Sequence, residues 1–273
     1  MRKTLSVALI TLNEAANLER TLESVRFADE IVIVDSGSTD RTVPIAEEFG
    51  ARVFHEPWKG FAAQKNSALS KCSSDWTLSL DADEEVSQEL AASIQKLLAD
   101  RPEEAGYRLR RRNHFLGRWM RHGGYYPDPK LRLFPSGSAY FEARPVHEAI
   151  RLTSDGKTKE LSGDLIHHCY AGLDEYIEHM NRYSRLGAVH TLENGLSAHR
   201  HWLFTGVLLN PVATFVYNYL LRGGFLDGPE GLLQHLYHSA YISWKYAKAW
   251  QISRDKNPSA KAAAHKAANS GRI

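Results

Sequence analysis

The chain has 273 residues, enough for one large domain or for a domain with a helical appendage. Apolar residues make up 43%, so a buried core is expected, and a formal net charge of +2 is too small to indicate nucleic-acid binding. The two cysteines, Cys72 and Cys169, lack metal-ligand spacing, which argues against a disulfide scaffold or a zinc site and fits a reducing cytosol.

Taken in chain order, Leu5–Thr11 is an apolar run with β-branched residues. It follows Arg2-Lys3 as a signal peptide would, but it holds Ser6 and Thr11, stops at Asn13-Glu14 and lacks a small-x-small site, so it predicts a strand. Residues 14–25 repeat apolar positions at helical spacing. Residues 30–34 (EIVIV) predict a second strand, with Asp35 at its end. Thr39 or Asp40 then caps a helix that runs to Phe49 and stops at Gly50. A third strand is expected over 51–54, a helix over 60–71, a fourth strand over 76–80 and a helix over 87–98. Short apolar strands alternating with helices give a parallel sheet covered on both faces, whose ligands bind beyond the carboxyl ends of the strands. Thr11, Asn13, Asp35, Asp81 and Asp83 all fall at such ends.

Beyond Pro102 the pattern changes to strands over 106–112, 130–134, 140–143 and 165–169, and then to helices over about 173–195, 199–222 and 228–252. The expected organisation is an α/β domain over 1–170, divided into residues 1–100 and 101–170. A helical, membrane-associating region follows over 171–252, and a basic, disordered tail over 253–273.

Four carboxylates crowd Asp81-Ala82-Asp83-Glu84-Glu85 and repel one another unless a cation or solvent relieves them. Oxygen ligands on a tight turn suit Mg²⁺ or Mn²⁺ with substrate phosphate in the same shell. Asp81 and Asp83, at the strand edge, are the metal candidates, whereas Glu84 and Glu85 fit a solvated acidic turn. Asp35 either makes an Asx-turn or binds the base or ribose of a nucleotide. Lys65, in Gln64-Lys65-Asn66, either neutralises phosphate or is a solvated helix lysine. Arg132 either reaches a diphosphate or sits on a solvated strand face.

Four segments in order, SVALITLNEAANL, EIVIVDSGSTDRT, GFAAQKNSAL and WTLSLDADE, resemble the inverting family 2 glycosyltransferases of GT-A fold over roughly residues 4–150. The resemblance implies an α/β fold with a Rossmann-like, mainly parallel sheet, a nucleotide-sugar donor, UDP-linked, and a divalent metal, Mg²⁺ or Mn²⁺. It places Asp35 at the base, Asp81 at the ribose and Asp83 on the metal. Later segments, KLRLFP, PVHEAI, NRYSRLGA and RGGFLDGPEGL, are similar to bacterial glucosyltransferases of the lipopolysaccharide inner core. The family's base is a carboxylate after the acidic motif, best matched by Glu148 in Pro145-Val146-His147-Glu148. His147 is the alternative, its ordinary pKa being nearer neutral.

Six arginines between Ala105 and Pro127 (108, 110, 111, 112, 118 and 121), with no acid among them, suit either an anionic glycan or a solvated strand face. Residues 202–221 are uncharged but are interrupted by Asn210, Pro211, Thr214 and Asn218, so an interfacial or packed helix is expected rather than a span. With Trp244, Tyr246, Trp250 and a net +4 from Arg254 onward, this predicts a peripheral protein on the cytoplasmic face of the inner membrane, meeting a lipid-linked or anionic glycan acceptor and no nucleic acid. Three readings compete: another cell-envelope transferase, such as one acting on polyprenyl phosphate; a non-catalytic sugar-nucleotide-binding scaffold; and a sugar nucleotidyltransferase. The last would need a glycine-rich loop where Leu12-Asn13-Glu14-Ala15 stands. An NAD-linked dehydrogenase fails for want of GxGxxG.

Overall fold

The computed structural model describes residues 1–100, 102–143, 149–193 and 203–254. It opens with β1 (Leu5–Thr11), α1 (Ala15–Ser24), β2 (Glu30–Asp35), α2 (Thr42–Glu48), β3 (Arg52–His55), α3 (Phe61–Ser70) and β4 (Trp76–Ser79). These strands lie in the order β3-β2-β1-β4, all parallel. Every residue of β1 is buried, because helices cover both of its faces. Leu5, Val7 and Leu9 pack with Leu18 and Leu22 of α1, while Ala8 and Ile10 pack with Ala68 of α3. That is the two-residue period of a strand expressed in its partners. Asp40 rather than Thr39 accepts from the α2 start, at Thr42 N (2.9 Å), and Gly50 ends the helix at φ +73°.

β5 (Glu84–Val86) and α4 (Gln88–Ala99) follow; the Ser87 hydroxyl caps α4 by accepting from Leu90 N. Then come β6 (Gly106–Phe115), β7 (Arg118–Trp119), β8 (Asp128–Pro135), β9 (Ala139–Glu142), β10 (Ala149–Leu152) and β11 (Thr158–Tyr170). The sheet continues from β4 through β8, β6 and β11 to β5, with β7 folded back on β6 and β9–β10 as a separate hairpin. β8 runs antiparallel to both β4 and β6, and β11 runs parallel to β6. The carboxyl ends of β1, β2, β4, β6 and β11 therefore share one edge. β5 enters that edge from the other direction, pairing antiparallel with β11 in the register His167↔Glu84.

Three helices and a 3₁₀ turn (Gly224–Asp227) complete the described chain; the helices are α5 (Leu173–Glu193), one over 203–221 centred on α6 (Asn210–Phe215), and α7 (Gly228–Arg254). α5 and α7 dock on the same edge through Phe115, Met120 and Tyr176, packed with Leu173, Leu233 and Tyr237, and the helix over 203–221 packs on α7. The helix over 203–221 widens to π geometry on either side of α6, at Thr205–Leu209 and Val216–Leu221. Pro211 accounts for the first widening: it has no N–H to offer Val207 and crowds that carbonyl. The Ser243 hydroxyl of α7 donates to Val207 O instead, at 3.0 Å. The crossing is close, since a Cβ on Gly206 would sit 2.5 Å from the Tyr246 ring. No helix among the described residues is long and apolar enough to cross a membrane. The tail beyond Arg254 lies outside the described residues.

Candidate active site

Asp35 ends β2 and is 1% exposed. Its carboxylate accepts from Thr11 Oγ1 (3.0 Å), Gly37 N and Ser38 N (both 2.9 Å) and the Ser38 hydroxyl. Burial alone would raise its pKa, but these four bonds outweigh it and hold the group below the ordinary carboxylate range. They also fill its acceptor sites. The Asx-turn alternative is thus realised, and a base or ribose reaches Asp35 only by replacing the half-buried Ser38 hydroxyl. Thr11, a candidate ligand contact, is fully buried behind Asp35 and serves to hold it. Asn13 adopts φ +57°, a left-handed conformation that asparagine tolerates, and its Oδ1 accepts from Thr39 N at 2.8 Å. It ties the β1–α1 turn to the β2–α2 loop.

Asp81 departs further from expectation. Lys65 Nζ lies 2.6 Å from Oδ1 and Arg132 Nη2 lies 2.7 Å from Oδ2. Burial opposes ionisation, but the charges of Arg132 and Lys65 hold Asp81 well below the usual carboxylate range. Arg132 also reaches Glu84 at 2.7 Å, and Glu84 accepts from Asp81 N at 2.9 Å. Lys65 thus pairs with Asp81, and Arg132 with both Asp81 and Glu84. One correction follows. Glu84, expected on a solvated turn, is fully buried on β5, where Arg132 compensates it. Glu85 does face outward, toward His168 at 3.1 Å.

Beside Asp81 and its two cations, Asp83 has no Lys or Arg partner among the described residues. Facing it is a residue the sequence reading missed. His167, near the end of β11, places Nε2 3.3 Å from Asp83 Oδ2. Its Nδ1 meets Asn113 Oδ1 at 2.8 Å, and the Asn113 amide nitrogen donates to Tyr125 O at 3.2 Å. The Tyr125 bond fixes which way the amide points, so Asn113 accepts from Nδ1–H and Nε2 is turned toward Asp83. Burial opposes a charge on His167, but Asp83 raises its pKa well above the ordinary value, so Nε2–H donates to Asp83 and a cation would take the place of that proton. An imidazole nitrogen and a carboxylate oxygen aimed at one point fit a divalent cation. No third His, Cys, Asp or Glu joins them among the described residues, so the rest of a shell would come from diphosphate and water. The signal available in the sequence was slight: a polar residue on the buried side of a strand end, two places from Leu165.

His147 and Glu148 lie outside the described residues. The strands bracketing them are placed by Asn66, whose amide exchanges two hydrogen bonds with the Phe141 backbone of β9, at 2.7 and 2.9 Å. The arginine run is also largely committed, because its acids come from other strands. Arg112 and Arg110 reach Asp164 (2.6 and 3.7 Å), and Arg111 reaches Asp128 (2.7 Å).

A sequence profile of Glycosyl transferase family 2 matches residues 6–169, from β1 to the end of β11. The chain belongs to glycosyl transferase family 2. This family 2 glycosyltransferase is 33% identical over 258 residues to LpsC of Rhizobium meliloti (strain 1021), a lipopolysaccharide core biosynthesis glycosyltransferase; the match covers 90% of this chain and 92% of LpsC. It is 31% identical to the uncharacterized glycosyltransferase RP128 of Rickettsia prowazekii (strain Madrid E), covering 92% and 88% of the two chains. Among solved structures, S. aureus TarS 1–349 in complex with UDP-GlcNAc superposes with a TM-score of 0.48 at 15% identity, over 92% and 91% of the chains. Mycobacterium tuberculosis glucosyl-3-phosphoglycerate synthase, with Mn²⁺ and UDP, gives 0.34 at 26% identity, over 41% and 44%.

One more acid belongs to this glycosyltransferase's site. Burial pushes the Glu14 carboxyl from 4.5 up to about 7; the Asn17 amide opposes the shift, and Asp83, Glu175 and Asp40 add to it. The folded chain then holds a proton that the unfolded chain has released, so stability falls as pH rises from about 4.5 to 7 and levels off above that. Urea melts of metal-free protein should show this slope. Glu14→Gln should remove it and should be the more stable form at pH 8 by about 1–2 kcal/mol, allowing for solvent screening.

Proposed function

We propose that this chain is an inverting, Mg²⁺- or Mn²⁺-dependent glycosyltransferase that moves a hexose, glucose or a close relative, from a UDP-linked donor to a lipid-linked, anionic glycan of the lipopolysaccharide inner core. It works as a peripheral protein at the cytoplasmic face of the inner membrane. The observation that carries the donor site is the Asp83–His167 pair, aimed at one point on the carboxyl edge beside the Asp35 turn. Asp83 and His167 would hold the cation, which when bound neutralises charge on the leaving diphosphate. Asp81, fixed by Lys65 and Arg132, keeps an exposed edge for the ribose, and Asp35 takes the base in exchange for the Ser38 hydroxyl.

Inversion needs one proton acceptor on the acceptor-sugar side, and we assign it to Glu148, with His147 as the alternative. Glu148→Gln keeps shape and hydrogen bonding but cannot take the proton. Its kcat should fall by about two or more orders of magnitude with little change in donor affinity. If His147→Ala is the more damaging change and Glu148→Gln stays active, the two roles are exchanged.

The lipid-linked acceptor is supported by the helix over 203–221. Phe204, Leu208, Val212, Val216 and Leu220, four residues apart, are 39–62% exposed, so the apolar stripe faces outward. Homology to LpsC supports the glycan class. Radiolabelled UDP-hexoses incubated with the enzyme and inner-membrane lipid extract test the whole reading. One donor should label the glycolipid with inverted anomeric configuration, and label retained with every donor tried would overturn it.

A further inference from the structure

At the border of that outward apolar surface the fold builds a cationic cleft that the transfer chemistry does not use. It has a volume of about 290 Å³ and is lined by Arg118, Trp119, Arg121, His122, Leu226 and Asp227. β7 carries its first two residues, folded back on β6 just beyond the carboxyl edge of the sheet. The Trp119 ring lies between two guanidinium groups, Arg112 and Arg121, each 4.1 Å from its centroid. Stacking fixes the plane of Arg121 and leaves its N–H edge open. Arg112 is held by Asp164, but among the described residues no carboxylate lies within ion-pair distance of Arg121.

The acids nearby do not cancel this charge. Asp227 is 2% exposed and spends both oxygens on His122, accepting from its backbone N–H at 2.8 Å and meeting its ring Nδ1 at 2.7 Å. Glu230 reaches only Arg118, loosely, at 3.6 Å. Outside the cleft lining, Arg222 bonds through its carbonyl to Gly123 N at 3.0 Å, and its guanidinium lies against Gly124, where a Cβ would meet Nη1 at 2.2 Å. Directly beside these charges stand Leu221, Phe225 and Leu226, 73%, 50% and 56% exposed. A soluble anionic sugar would have no use for these three side chains. A bilayer surface offers both components: phosphates for the forked arginines and acyl chains for the leucines and phenylalanine.

We propose that this cleft binds the phosphate of an anionic bilayer lipid through Arg118 and Arg121, while Leu221, Phe225 and Leu226 enter the acyl boundary. The bound lipid then holds the carboxyl edge of the sheet against the membrane. The proposal rests on the membrane reading above, and the test separates the two. The full-length protein is floated with phosphatidylcholine vesicles, with and without about 30 mol % phosphatidylglycerol.

Each charge near an anionic surface is worth about a fivefold change in partition, so Arg121→Glu, which alters charge by two, should weaken binding to the anionic vesicles roughly 25-fold. Its binding to neutral vesicles should be unchanged, and its thermal melt should match wild type because the side chain is exposed. Phe225→Ser should weaken binding to both kinds of vesicle, and high salt should reproduce the Arg121→Glu loss. Wild type that floats while Arg121→Glu partitions within about twofold of it would overturn this site and leave membrane docking intact. Displacement of the protein from vesicles by millimolar glycerol phosphate would mean a site for free phosphate and would also overturn it. Wild type that ignores anionic vesicles would overturn the membrane reading and this site together.

Discussion

Asp83→Ala is expected to lower sugar transfer by about three orders of magnitude or more while leaving the fold intact. The carboxylate lies at the strand edge, about a quarter exposed, and its side chain has one close charged neighbour, His167. Removing it deletes one of two groups able to hold a cation there, and no other described acid stands ready to replace it. Stability should respond as well. Asp83 is one of the charges that raise Glu14 and also the charge that raises His167, so the alanine variant should lose some of the Glu14 pH slope below 7 together with the stabilising His167 ion pair. Initial rates over a Mn²⁺ series, with urea melts on the same samples, check both halves. A variant as active as wild type at ordinary metal concentration contradicts the assignment.

Arg132→Ala should be the most destabilising single change in the site, by about 3–5 kcal/mol. Glu84 has no exposed surface, and Arg132 at 2.7 Å is its main counter-charge, with Arg111 a distant second at 3.8 Å. Truncation strands that carboxylate and loosens Asp81 as well. Arg132→Met preserves volume but leaves the same buried charge, so it should lose nearly as much. Adding Glu84→Gln should restore most of the loss, because the penalty lies in the unpaired charge rather than in a missing attraction. Urea titration of the two single variants and the double variant measures the coupling. A loss below about 1 kcal/mol for Arg132→Ala would mean that water or a neighbour relieves Glu84.

The regions of this molecule legible in the sequence are those governed by local periodicity. β1 and most of β2 are apolar runs buried under helices, and Asp35, Asp81 and Asp83 stand at or just past strand ends. β5 was not legible: three residues, two of them glutamates, carry no strand pattern and are extended only because β11 pairs with them. The Arg132–Glu84 pair joins residues 48 apart in sequence, so the composition of either segment says nothing of the other. The arginine run likewise read as uncompensated because Asp128 and Asp164 lie outside it. His167 hides in a strand end whose meaning depends on Asn113 and Asp83, brought alongside by two different pairings of β11. The π geometry around α6 needed both Pro211 and a serine 32 positions further on, Ser243.

In the proposed mechanism Asp83 and His167 together make a cation-dependent diphosphate site. Calorimetric titration of UDP into the full-length protein, with Mn²⁺ and after chelation, tests it most directly. Mn²⁺ should tighten UDP binding by about tenfold or more, and that gain should vanish in Asp83→Ala and in His167→Ala, both still folded by circular dichroism. UDP binding that is equally tight without metal, or a Mn²⁺ gain that survives in both variants, would contradict it.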